Sequence, residues 1–279
     1  MTDHQRTSPV SQATRRHAGE ELPFSERDSA HIPGHWLLAR LGKRVLRPGG
    51  RELTRQMLSH AGIEGHKVVE FAPGLGSTAK EILQLAPASY VGVDEDRKAA
   101  AIVGNIVAGT GHAVTAKAQE TGLPDDSADV VVGEAMLTMQ SDRGKQSIIA
   151  EAARLLRPGG RYAIHELGLE PDNLDDETKT LIRKSLARAI KVNARPLTAA
   201  EWKALLESEG FEVDWIGSAP MALLDVRRNV ADEGIVGVLR ILRNLIRDKQ
   251  ARERVMTMKR AFTQYRQHMN GIAVVAHKR

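Results

Sequence analysis

The feature that most constrains this chain is a run of short apolar segments set one helix-length apart. KVVEF (67–71), YVGVD (90–94), HAVTAKA (112–118), DVVVGE (129–134) and RYAIHEL (161–167) recur in that way. Several of them lack polar alternation, as strands do when both faces are buried. Between them, apolar residues at helical spacing predict helices over about 77–85, 96–108 and 143–156. Such alternation builds an α/β fold with a mostly parallel sheet. FEVDWI (211–216) is expected as a sixth strand and GIAVVAHK (271–278) as a seventh.

Residues 1–23 are polar and aperiodic, and are expected to form a mobile tail. Residues 24–62 read as an N-terminal helical cap. Its helices are HWLLARLGKRVL (35–46), stopped by RPGG (47–50), and a second over 51–61. Residues 63–279 then form the main domain, with helical inserts at 170–197 and 218–270. Thr198, with Glu201 three residues on, predicts a capped helix over 198–208.

Composition narrows the function. At 279 residues and 42% hydrophobic content, a well-filled core is expected. Aromatic residues reach only 4%, too few for a base-stacking surface, and a net charge of +5 is modest, so no nucleic-acid partner is expected. The absence of cysteine excludes disulfides, thiolate metal sites and cysteine nucleophiles. HIPGH (31–35) has no further ligand signature near it, and no metal site is expected. With no secretory signal and no apolar run of membrane-spanning length, a cytoplasmic protein without a transmembrane segment is expected.

VVEFAPGLGST (68–78) carries the strongest local signal. It sets Glu70 at a strand end and Gly74 and Gly76 in the turn into a helix, where backbone approaches a ligand and unpaired N–H groups gather. Asp94 ends the next strand, about 20 residues on, where a carboxylate takes ribose hydroxyls. Gly74, Gly76 and Ala79 also fit the dinucleotide fingerprint, which leaves a nicotinamide-dependent oxidoreductase open.

The wider pattern is more specific. Glu70–Gly76 reads E-x-A-x-G-x-G, and VGVD (91–94), LPDDSADVVV (123–132), EAARLLRPGGRYAIHEL (151–167) and EGFEV (209–213) follow in order. In these markers the chain resembles the class I S-adenosylmethionine-dependent methyltransferases, in particular the small-molecule branch that includes quinone-biosynthesis enzymes. The resemblance implies a Rossmann-like seven-stranded sheet whose last strand is antiparallel, with helical cap insertions. It implies S-adenosylmethionine as cofactor and a small molecule as methyl acceptor. Glu70 would face the cofactor's cationic amino-acid part, and Ala72, Pro73, Gly74 and Gly76 would pass beneath its methionine and ribose. Asp94 would grip the ribose hydroxyls, with Glu95 beside the adenine and Ala118 and Gln119 at its edge. Glu134 and Ala135 would line the site near the methyl group. The family's usual acidic residue near the adenine is missing at Lys117–Gln119.

A general base, where one is used, is expected at a strand C-terminus, and Glu134 and His165 are the candidates, with the adjacent Glu166 a further one. In the 218–270 insert, Ile235, Val238, Leu239, Leu242, Leu245 and Ile246 recur at helical spacing among arginines. That stripe is expected either to pack on the core, to close as a lid over the acceptor, or to meet another subunit or a membrane surface. A non-catalytic module on the same fold, and an RNA methyltransferase, are the remaining alternatives. The N/D-P-P-Y/F motif of amino-group methylation is absent after the fourth strand, where GEAM stands.

Overall fold

The computed structural model describes residues 31–43, 47–221 and 226–279, with backbone alone for 226–233 and 235. The expected 1–23 tail and residues 44–46 of the first expected helix lie outside the described residues. The sheet comprises β1 (Lys67–Phe71), β2 (Ser89–Asp94), β3 (Gly111–Thr115), β4 (Ala128–Glu134), β5 (Leu156–Leu169), β6 (Leu197–Thr198), β7 (Phe211–Pro220) and β8 (Met269–Lys278). Its order is β3-β2-β1-β4-β5-β8-β7, with β6 paired to β5. Only β8 runs antiparallel to its neighbours, between β5 and β7. This is the mostly parallel α/β sheet that the strand pattern predicts, in the Rossmann-like form that the family resemblance implies, with one two-residue strand more than expected.

Burial explains the apolar runs. Val69 and Phe71 of β1 and Val131 of β4 enter one core cluster, with Ile148, Ile149 and Trp202. Val68, Val130 and Val132 enter the other, with Leu53, Met57 and Ile82. Both sheet faces are therefore covered, and neither face of these strands needs polar residues.

The helices are α1 (Gly34–Arg40), α2 (Gly50–Ala61), α3 (Ser77–Gln84), α4 (Arg97–Val107), α5 (Asp142–Leu155), α6 (Asp176–Ile190), α7 (Ala199–Ser208), α8 (Val226–Arg247) and α9 (Lys249–Gln264). α8 breaks at Gly234, which has φ 71°. Thr198 and Glu201 form the expected reciprocal cap of α7. Among the described residues, no helix is long and apolar enough to cross a membrane.

Three differences from the sequence reading have clear causes. β3 stops at Thr115, short of the expected 118, because its partner strand β2 ends opposite, at Asp94. β7 and β8 run to Pro220 and from Met269 because they pair with each other that far, so the 218–270 insert loses both ends to the sheet. The 24–62 cap divides in two. α2 packs on the sheet through Leu53, Met57 and Leu58, whereas α1 joins α6 and α9 in a separate cluster of Leu37, Leu38, Ala189, Ala251 and Met258. The cap is thus assembled from three distant parts of the chain.

Candidate functional site

At the C-terminal ends of β1, β2 and β4 lies a cavity of about 590 Å³, within the size range of a nucleoside-type ligand site. Glu70, Ala72, Pro73 and Gly74 line it from the first turn. Asp94, Glu95, Glu134 and Ala135 complete the expected residues found there, and Trp36 of α1 closes one side. Three expected cofactor-binding residues fall elsewhere. Gly76 (φ +69°) is needed for packing, since an added Cβ would stand 2.4 Å from Ile106 Cδ1. Ala118 packs towards the core, and Gln119 is exposed, because the chain turns back beyond β3 with Lys117 bridged to Glu120.

The turn is held open for a ligand. Asp94 Oδ2 accepts from Gly74 N–H at 3.0 Å and Oδ1 from Asp96 N–H at 2.9 Å, so the carboxylate ties the glycine turn to the end of β2. An added Cβ at Gly74 would meet nothing closer than the Ala72 carbonyl at 3.9 Å, leaving clear space on the cavity side. Ala72 (φ 50°) and Ala135 (φ 53°) both adopt left-handed backbone at the ends of neighbouring strands. Such conformations cost energy outside glycine and collect at functional sites.

The charges select the kind of ligand. Glu70 is buried and accepts a 2.6 Å bond from the Tyr90 hydroxyl; burial pushes its carboxyl up to about 8. Burial also raises Asp94, against the two backbone hydrogen bonds. Glu95 and Asp96 add further acid at the rim. The lining cation Arg47 is spent on Glu134 and Glu81. This donor set fits S-adenosylmethionine, with its sulfonium and ammonium, and opposes the pyrophosphate of a dinucleotide.

Arg47, which the sequence shows only as part of a helix stop, organises one wall. Its guanidinium, 4% exposed, bonds Glu134 and lies 2.7 Å from Glu81. Glu134 also accepts from Thr78 and from Thr54 (2.5 Å), and it meets His165 Nδ1 at 2.9 Å. Burial opposes ionisation of Glu134, yet Arg47 and these hydrogen bonds hold its carboxyl well below the usual carboxylate range. The expectation of Glu134 and His165 as general base therefore needs correction. Glu134 has its lone pairs filled and its proton affinity lowered, and His165 is fully buried with Nδ1 engaged by Glu134 and Thr54. Glu166 is likewise consumed, accepting from the N–H groups of Met136, Leu137 and Thr138 and from the Thr138 hydroxyl.

A second, smaller chamber of about 80 Å³ adjoins the first and shares His35, Ala135 and Met139 with it. Leu38, Ile190, Ala194, Met221, Met258 and Phe262 give it an apolar wall. Among its described polar side chains Glu166 and Thr138 bond each other, leaving His35, whose imidazole burial pushes down to about 4. At neutral pH the chamber thus presents no free charge. The expected lid is therefore split: α9 closes the chamber, but Leu239, Leu242 and Ile246 of α8 face outwards.

Comparison with known proteins agrees with this geometry. A family model described as "Methyltransferase domain" matches residues 69–164. An uncharacterised Haemophilus influenzae protein is 34% identical over 251 residues, 88% of this chain and 98% of its own length. A Mycolicibacterium smegmatis protein named "Probable S-adenosylmethionine-dependent methyltransferase" is 32% identical over 194 residues, 63% of this chain and 65% of its own. Among solved structures, the [4+2]-cyclase SpnF superposes with a TM-score of 0.64 at 14% identity, covering 89% of this chain and 97% of that one. At that identity the likeness is one of fold.

Proposed function

Since this chain belongs to the class I S-adenosylmethionine-dependent methyltransferases, we propose that it methylates a small molecule with an uncharged, apolar body. The observation that carries this reading is the apolar chamber that adjoins the cofactor cavity and shares His35, Ala135 and Met139 with it. S-adenosylmethionine supplies an electrophilic methyl group on its sulfonium. The protein's contribution is then alignment and the exclusion of water, which can lower the barrier by several kcal/mol. Asp94 would hold the ribose hydroxyls and Glu70 the cationic end. α1, α6 and α9 would seat the acceptor's body and shut out solvent. A cytoplasmic location suits the same reading.

The acceptor test is direct. Matched panels of lipophilic and zwitterionic acceptors are incubated with S-adenosylmethionine, and formation of S-adenosylhomocysteine is measured. Turnover is expected with lipophilic acceptors. Ala194→Phe, which fills the chamber, should remove it while cofactor affinity stays within about twofold, as expected of a change outside the cofactor cavity. Turnover confined to zwitterionic acceptors would refute the apolar reading.

Glu70 gives a pH prediction. In the free protein its carboxyl titrates near 8, and a cationic ligand favours the ionised form. Binding below pH 8 must therefore release a proton, so affinity should rise by up to about tenfold per pH unit and level off above 8. Calorimetry in two buffers of different ionisation enthalpy would detect that proton. Glu70→Gln should flatten the dependence, and a flat profile in the unaltered protein would contradict the assignment.

A further inference from the structure

The outer face of α8 has no use in the chemistry above. Val236, Leu239, Leu242 and Ile246 are 71%, 60%, 50% and 75% exposed, and Leu239, Leu242 and Ile246 share one side of the helix by their spacing. The opposite side is fixed to the protein. Asn244 donates to the Leu41 carbonyl at 3.0 Å, and Leu245 packs into the cluster of α1 and α9. The apolar stripe is thereby held towards solvent, where a monomeric protein gains nothing from it.

Charge identifies the occupant. Arg243 and Arg247, both exposed, flank the stripe, Arg240 lies one turn before, and no acidic residue occurs from Gly234 to Arg247. We propose that α8 lies on an anionic lipid surface, with its leucines and isoleucine in the acyl boundary and its arginines at the headgroups. An apolar stripe with a basic border is the pattern of interfacial helices, which bind by buried apolar area together with attraction to anionic lipid. A second copy of the chain suits the face less well, because a two-fold contact brings each basic patch close to its own copy.

The experiment is sedimentation of the full chain with vesicles of phosphatidylcholine, with or without phosphatidylglycerol. Binding is expected only with the anionic vesicles, and it should weaken strongly between about 0.05 M and about 0.5 M salt. Arg243→Glu/Arg247→Glu should weaken it at least about tenfold, and Leu239→Glu/Ile246→Glu should abolish it. S-adenosylhomocysteine binding serves as the fold control. If the apolar pair misfolds, the arginine pair decides alone, since both side chains are on the surface. Equal binding to neutral and anionic vesicles, or binding that survives the arginine variant, would overturn the proposal. So would a dimer in light scattering that the same variants dissolve, because α8 would then be a subunit interface. None of these readouts depends on which acceptor is methylated.

Discussion

Replacing Arg47 with leucine should destabilise the protein by about 3–5 kcal/mol, the cost of breaking a buried ion pair from one side. Arg47 is 4% exposed, and its partners Glu134 and Glu81 have side chains only 7% exposed. Removing the guanidinium leaves Glu134 facing His165 and two hydroxyls. Glu81 keeps Arg51, at 3.0 Å but itself 41% exposed, and such a solvated pair offsets little. Thermal unfolding would report the loss as a fall of roughly 10 °C, at 2–4 °C per kcal/mol for a domain of this size. Arg47→Lys should fall between the two, since an ammonium keeps the charge but cannot reach both carboxylates in a fork. A melting point for Arg47→Leu close to that of the unaltered protein would refute this account of the wall.

Asp94→Ala should weaken S-adenosylhomocysteine binding more than a hundredfold. Two charge-assisted hydrogen bonds to a ribose are worth about 1.5–3 kcal/mol each, and the same substitution releases the Gly74 N–H that fixes the turn. Asp94→Asn retains one acceptor and should bind between the two. Calorimetry gives the affinities, with urea unfolding as a separate check on the fold. An affinity within threefold of the unaltered protein would show that the ribose is held by other groups. The same measurement with NAD should show no binding by the unaltered protein, because the acidic lining that suits a sulfonium repels a pyrophosphate.

The two classes of site residue differ in how far the sequence exposes them. Glu70, Gly74 and Asp94 sit where one strand ends and the next helix begins, so counting along the chain is enough to bring them together. Their carboxylates and backbone converge because parallel strands share a C-terminal edge. Gly76 shows the limit of counting. It occupies the motif position, but its neighbour is Ile106 of α4.

His35, Arg47, Met221, Met258 and Phe262 have no such local mark. They come from both ends of the chain: His35, Met258 and Phe262 meet because α1, α6 and α9 share one cap cluster, whereas Arg47 is held by its buried pairs with Glu134 and Glu81. His35 has the look of a loop histidine and Arg47 of a helix stop until the sheet places Ala135 and Met139 beside the one and Glu134 beneath the other.

By itself the sequence determined the strands, their two buried faces and the glycine turn at the end of β1, while the antiparallel end followed from the family resemblance. The strands and the turn rest on short-range periodicity and on strand-end chemistry, which the order of residues carries directly. Only the tertiary structure decided which carboxylates are free, that Glu134 and His165 are tied into a buried wall, and which face of α8 looks outwards. Those depend on burial and on partners far away in the chain, and it is desolvation and pairing at close range that set the state of a charged or apolar side chain.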